Sequence, residues 1–330
     1  MNKDIYIFSN GELKRKDNTL YFETQDTKKY LPVEEINNIW IFGEVDVNKR
    51  FLEFAAQKEI LLHFFNYYGY YVGSFYPREH LNSGYVLLKQ AEYYMDYEKR
   101  LDIAKKIIDG AFSNMLVVLR YYKSRGVEIE DEINEIADKK QDLEKSQSIE
   151  EVMAVEGNIR EVYYSCFDNI INKPEFVFEK RSKRPPLNRL NALISFGNSL
   201  LYSAVLSEIY HTQLNPSIGY LHSTNNRRFT LNLDIAEIFK PTIVDRLIFS
   251  LLNRNQITED DFDEQLNGII LNEKGRRIFV QEFQNKLDVT INHPKLNQTV
   301  SHRRLIRMEL YKIQKHITQD EEYKPFVARW

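Results

Sequence analysis

The chain of 330 residues is 43% hydrophobic and 28% charged, with a formal net charge of −3. That balance belongs to an ordinary folded protein with a core, and it excludes a disordered chain or a globally basic nucleic-acid binder. Any nucleic-acid contact must therefore come from local clusters of Lys and Arg, because phosphate affinity follows clustered cations rather than their sum. A single cysteine, Cys166, excludes a disulfide framework or a cysteine zinc site within one chain. It lies in YYSCFDNI, a buried helix face where inert packing is expected. No apolar run approaches the ~20 residues of a membrane span. MNKDIYIFSNGEL has no signal-peptide core, so a soluble, cytoplasmic protein with no membrane partner is expected.

From the N-terminus the pattern alternates as strands do. Residues 4–9 (DIYIFS) run into Asn10-Gly11, a preferred two-residue hairpin turn, and on into ELKRKD. Asp17-Asn18 is a second turn signal before LYFET. Further apolar runs cover 29–31, 38–42 (NIWIF), 60–65 (ILLHFF) and 71–76 (YVGSFY). Between them, 47–59 alone has near-helical spacing, through Phe51, Phe54, Ala55 and Ile60. His63, inside an apolar run, is read as a hydrogen-bonded core histidine. The region reads as structural and dimer-forming, without a catalytic cluster.

After Pro77 the period becomes helical. Val86, Leu87, Gln90, Tyr93 and Tyr94 mark one segment, and Leu101, Ile107, Ile108, Phe112, Leu116 and Leu119 the next. Gly110 argues against a single unbroken helix there. Residues 128–145 read as a solvated helix or helical hairpin. The expected fold class is α+β in two domains. A small N-terminal β-rich, sandwich-like dimerisation domain covers 1–80, and a larger all-α helical catalytic domain covers 81–330. Residues 320–330 are read as a mobile tail; Arg276, Arg277, Arg303, Arg304 and Arg307 could extend a DNA track, but a solvated helix face is the commoner meaning of such runs.

The chemistry-bearing residues fall in the second domain. Residues 219–241, GYLHSTNNRRFTLNLDIAEIFKP, set His222, Asp234 and Glu237 about a short basic-polar loop that enters a helix. Imidazole nitrogen with carboxylate oxygen is a ligand set that suits a divalent cation such as Mn2+ or Mg2+. Asp234 and Glu237 stand three apart and project from one side of a helix. They also match a capping box, which would account for both without metal. In the helix that Ser148 and Glu151 open, Glu156 falls within an apolar stripe of Val152, Ile159 and Tyr163. A carboxylate there must be paired, protonated or bound to a cation, so a salt bridge to a core arginine stands beside the metal reading. Gly157 would let another backbone or a substrate approach closely. In EKRSKRPPLNRLN (179–191) four cations precede two prolines, a fixed basic loop before a helix that Asn188 can cap.

Four stretches occur in order: VEGNIREVYY (155–164), KRPPLNRLNALIS (183–195), NPSIGYLHS (215–223) and LDIAEIFKP (233–241). With the strand-rich N-terminal region, they resemble the CRISPR-associated integrase family, the "Cas one" proteins of spacer acquisition, over nearly the whole chain. The resemblance implies Glu156, His222 and Glu237 as ligands of Mn2+ or Mg2+, Asp234 as a nearby acid, Tyr163 as an active-site tyrosine and Lys240 at a basic position. It implies a homodimer formed through the N-terminal domains, bridged by a dimer of the Cas-two protein, with a Cas-four nuclease in some subtypes. The implied reaction is phosphoryl transfer on double-stranded DNA. The 3′-hydroxyl of a captured protospacer attacks a phosphodiester at the edge of a CRISPR repeat, with associated endonuclease activity. Arg181, Arg184, Arg228 and Lys240 are, by position, the candidates for phosphate contact. NNRRFTLN follows HST where the family loop is commonly serine-rich. Two other functions are compatible with the residues: a metal-dependent DNA or RNA nuclease outside CRISPR, and a non-enzymatic nucleic-acid-binding assembly module whose acids serve only as caps and salt bridges.

Overall fold

A computed structural model describes residues 3–78, 81–183, 185–224, 229–265, 268–293 and 298–329. The chain falls into two compact units, Met1–Asn82 and Ser83–Trp330.

The first unit contains β1 (Lys3–Ile7), β2 (Gly11–Lys16), β3 (Thr19–Glu23), β4 (Lys28–Leu31), β5 (Ile36–Ile41), β6 (Val45–Val47), α1 (Lys49–Gln57), β7 (Leu61–Phe65) and β8 (Tyr71–Phe75). They form two four-stranded sheets, β1-β5-β7-β8 and β4-β3-β2-β6. Leu13, Leu20 and Leu31 of one sheet, Ile39, Ile41 and Leu62 of the other, and Phe51, Phe54 and Ala55 of α1 close one core. Alternating apolar residues supply those inward faces. Asp17-Asn18 does turn β2 into antiparallel β3. Asn10-Gly11 does not make a hairpin, since β1 pairs in parallel with β5 in the other sheet. Its hydrogen bonds go to Glu44, whose N–H donates to Asn10 Oδ1 and whose carbonyl accepts from Gly11. Residue 47 belongs to β6 rather than to the helix, which begins after Asn48 caps the Phe51 N–H. His63 is fully buried and its Nδ1 meets Ser74 Oγ at 2.6 Å.

The second unit is mainly helical. Its helices begin with α2 (Gly84–Met95), α3 (Tyr97–Lys123), α4 (Glu130–Lys145), α5 (Ile149–Ile171) and α6 (Arg189–Tyr210). α7 (Leu231–Phe239) runs through a π-helical segment, Lys240–Asp245, into α8 (Arg246–Asn253). Pro241 has no N–H to continue the α-helical ladder, which accounts for the change of register there. Next come β9 (Phe262–Gln265), β10 (Gly268–Leu271), α9 (Glu273–Asp288), β11 (Thr290–His293), β12 (Gln298–Ser301) and α10 (His302–Ile317). The two short antiparallel ribbons, β9–β10 and β11–β12, make this unit mainly rather than wholly helical. At four residues each, these strands are too short to register as a period. Asn188 caps α6 by accepting from Asn191 at 2.8 Å. Among the described residues, α6 is the one helix long and apolar enough to cross a membrane, and most of it is buried inside this unit.

α3 passes unbroken through Gly110 because the glycine marks a crossing, not a break. A Cβ there would lie 2.5 Å from Cβ of Pro325. The expected mobile tail is instead a strap. Tyr323 is buried, its hydroxyl donates to Glu309 at 2.7 Å, and Phe326 N–H donates to the same carboxylate at 3.0 Å. Of the late arginines, Arg307 is taken up by Glu208 at 2.6 Å and Arg277 by Glu273.

Candidate metal centre

The centre is built where the loop after α6 returns to α7. Thr230, the residue before α7, does not cap the helix with its side chain. Its hydroxyl instead donates to Ser217 O and accepts from Gly219 N–H, each at 2.9 Å. Asp234, fully buried in the first turn, faces the same loop. Oδ2 accepts from Tyr220 and Leu221 N–H at 2.5 and 3.0 Å, and Oδ1 accepts from His222 N–H at 3.0 Å. Three successive amides thus close on one carboxylate, a backbone nest. Gly219 is required for the approach, since a Cβ there would stand 2.7 Å from Asp234 Oδ2. The helix-cap alternative for Asp234 falls because α7 already begins at Leu231.

The His222 ring is fixed by the same acid, with Nδ1 2.8 Å from Asp234 Oδ1. In the neutral ring, Nδ1 carries the proton toward Asp234 and Nε2 keeps its lone pair, the tautomer a metal-binding histidine needs. Burial alone would lower the His222 pKa, but the hydrogen bond and charge of Asp234 outweigh it and raise it above the ordinary value.

α5 brings Glu156 and Arg160 to this place, one turn apart. Arg160 Nε donates to Glu156 Oε1, and Nη2 reaches Glu237 Oε2 at 2.6 Å across 77 residues of sequence. The other Glu237 oxygen accepts from Lys240 Nζ at 2.5 Å. Burial would raise the Glu237 pKa; the charges of Lys240 and Arg160 win and hold it well below the usual carboxylate range. A buried carboxylate between two cations stays ionised. Beside Glu156 the helix presents Gly157, with nothing within 4 Å of where its Cβ would stand. The salt-bridge alternative for Glu156 is therefore present in the fold.

The donors nonetheless fit a hard divalent cation: two carboxylates and an imidazole of fixed tautomer. Among the described residues no three His, Cys, Asp or Glu side chains converge on one point. Glu156 and Glu237 converge on a guanidinium instead, so the space between them already holds positive charge.

The other expected residues fare differently. Tyr163 is fully buried and its hydroxyl has no hydrogen-bond partner among the described residues. Burial, and then the charge of Asp245, raise its pKa far above the ordinary value. Lys240 is buried against Glu237, with Nζ also 5.1 Å from the centre of the Tyr202 ring. Arg181 is pinned to the start of α6 by Asn191 Oδ1 at 2.8 Å and Ser195 Oγ at 3.0 Å. Arg184 and Arg228 lie outside the described residues. Three neighbours lie outside the ligands and phosphate contacts named from the sequence, although Lys183 is one of the four cations of the basic loop. Arg160 was signalled by its i+4 spacing from Glu156. Lys183 has a pKa lowered by burial and by Arg181 and Lys240, with Glu156 and Glu237 opposing. Asp245, pushed up to about 7 by burial, had no sequence signal. Cys166 is buried with its thiol pushed up to about 12, an inert core residue.

A β-rich unit followed by a mainly helical unit that carries a carboxylate–imidazole centre defines a class of protein. The chain belongs to the Cas1 family, whose profile, described as CRISPR associated protein Cas1, matches residues 5–285. It is 58% identical over 330 residues, the whole of both chains, to the CRISPR-associated endonuclease Cas1 2 of Thermodesulfovibrio yellowstonii. The solved structure of a Cas1 protein from Thermotoga maritima matches with a TM-score of 0.90 and 50% identity, covering 98% of this chain and 99% of that one. A casposase bound to its integration product matches with a TM-score of 0.89 at 22% identity, covering 99% and 93%, a likeness of fold.

Proposed function

We propose that this chain is a metal-dependent DNA integrase of CRISPR adaptation, with endonuclease activity from the same centre. The observation that carries the proposal is the convergence of Glu156 and Glu237, 6% exposed, on one guanidinium, with His222 held by Asp234. Glu156, Glu237 and His222 Nε2 would hold Mn2+ or Mg2+. The bound ion supplies Lewis-acid polarisation of the scissile phosphate and lowers the barrier to deprotonating the nucleophile.

The protein's own residues supply position and charge. Asp234 keeps the imidazole tautomer and its distance from α7 fixed. Lys240 and Arg160 offset the charge of Glu237, and Lys183 extends positive charge toward an incoming phosphate. In strand transfer the 3′-oxygen of the captured fragment bonds to phosphorus and the repeat strand leaves with its own 3′-oxygen. The proton lost by the first is matched by one gained by the second. The number of phosphodiesters is unchanged, so no energy-rich cofactor is required.

The endonuclease name of the relative favours a second use of the centre, in which water replaces the 3′-hydroxyl and cleavage results. Duplex protospacer and repeat DNA, a second copy of the chain and a bridging Cas2 dimer are the proposed partners, with a Cas4 nuclease as a further one in some systems. The test is a strand-transfer assay with duplex oligonucleotides and a repeat-bearing plasmid, with and without Mn2+. Joined products that require Mn2+ and vanish in Glu156→Ala, with dimerisation retained, support the proposal. Cleavage without joining would leave the nuclease alone, and joining by Glu156→Ala would overturn the role of this centre.

A further inference from the structure

Arg160 sits where a shared cation would sit. Its Nε contacts Glu156 and its Nη2 contacts Glu237, so one planar fork spans both carboxylates. Geometry of this kind is bidentate and suits arginine rather than lysine. The fork is incompletely satisfied, however. Nη1 is buried and has no hydrogen-bond partner among the described residues, and a buried unpaired donor costs about 1–3 kcal/mol. The seat therefore holds a guanidinium without completing its hydrogen bonds.

We infer that Arg160 is a built-in placeholder for the divalent cation, holding Glu156 and Glu237 together and leaving that seat when the ion binds. The inference rests on the metal centre proposed above. A guanidinium and a divalent ion cannot both lie between the same two carboxylates, because like charges a few ångströms apart in a partly buried site repel strongly. Metal binding and withdrawal of Arg160 are then one linked event. The apparent metal affinity is then the intrinsic affinity multiplied by the fraction of molecules with Arg160 withdrawn. Once withdrawn, the side chain is a cation with five donors beside the open face at Gly157, where its Cβ would meet nothing within 4 Å. A phosphate oxygen is the partner that chemistry selects there. Lys240 cannot play this part, since Glu237 is the one carboxylate it pairs with among the described residues.

The test reads Mn2+ binding to the full-length protein, by electron paramagnetic resonance of the free ion, without reference to activity. Arg160→Gln is expected to bind Mn2+ at least about tenfold more tightly than the wild type. Arg160→Lys should fall between them, and Glu156→Gln should lose binding. If the wild type binds and Arg160→Gln binds equally or more weakly, the placeholder role fails while the metal centre stands. If neither binds, the centre itself fails and this inference with it. Should Arg160→Gln not fold, a crystal structure of the wild type with Mn2+ decides. Arg160 drawn off both carboxylates supports the inference, and Arg160 still bridging them beside the ion overturns it.

Discussion

Asn114, in the middle of α3, holds Phe326 of the C-terminal strap: its amide donates to the Phe326 carbonyl at 2.9 Å, and its Oδ1 accepts from Ala328 N–H at 2.8 Å. The same amide donates to the Ile238 carbonyl at 2.9 Å, one residue beyond Glu237. Phe326 also stacks on Phe239, with centroids 5.4 Å apart. The strap thus bears on the end of α7 that carries the centre.

Two substitutions test that coupling. Asn114→Ala leaves buried backbone groups of both the strap and α7 without partners, and should cost about 2 kcal/mol or more in urea unfolding. Gly110→Ala would gain about 1 kcal/mol in a free helix. Here the added Cβ meets Pro325, and a loss of about 1–3 kcal/mol from overpacking is expected. A stabilised Gly110→Ala protein would show that the strap does not pack there.

Asp234→Asn keeps the shape of the side chain but turns an NH2 group toward N–H donors that now share two carboxylate oxygens. The His222 ring also loses its anionic partner. The expected outcome is a lower melting temperature and Mn2+ affinity reduced about 10- to 100-fold, as for other outer partners of a ligating histidine. Calorimetric titration checks it. Unchanged affinity would mean that His222 is oriented by something other than Asp234.

The sequence was most informative where one local rule decided the outcome. The helical stripe through Val152, Ile159 and Tyr163 is buried as its period required, and Ser148 and Asn188 cap the helices they precede. It was least informative where long-range partners decided. Asn10-Gly11 has hairpin chemistry, yet its bonds go to Glu44. Residues 320–330 are polar enough to read as a tail, and tertiary partners such as Glu309 and Asn114 hold its described part. At the centre, Glu156 was marked by its place in an apolar stripe, which on its own favours an arginine partner and leaves metal open. Arg160 lay in plain view at i+4, but its second contact, with Glu237, depends on tertiary structure.

Acid should weaken the protein through His302. The ring is buried and its Nδ1 donates to the Val289 carbonyl at 3.1 Å. Burial, and then the positive charge of Lys286, push its pKa down to about 4. In the unfolded chain histidine titrates near 6.5, so between about pH 6.5 and 4 the unfolded state holds a proton the folded state does not. Stability therefore falls as pH drops through that window, by on the order of 3 kcal/mol in full. The difference in urea midpoint between wild type and His302→Gln should change across pH 4–6.5 and stay flat above it. A constant difference would place His302 in a site that accepts its charge.

Asp245 predicts the opposite slope. Burial pushes its carboxyl up to about 7, although the positive charges of Arg160 and Lys240 favour the charged form. Its Oδ2 has no hydrogen-bond partner among the described residues. The unfolded chain releases this proton near pH 4 and the folded chain near 7. Stability therefore decreases as pH rises through that interval, because the folded state holds the extra proton. Asp245→Asn supplies a neutral side chain of the same shape, so its stability relative to wild type should improve from pH 5 to pH 8. An isostere that gains nothing across that range would show that Asp245 is ionised in the fold and that Arg160 or Lys240 neutralises it directly.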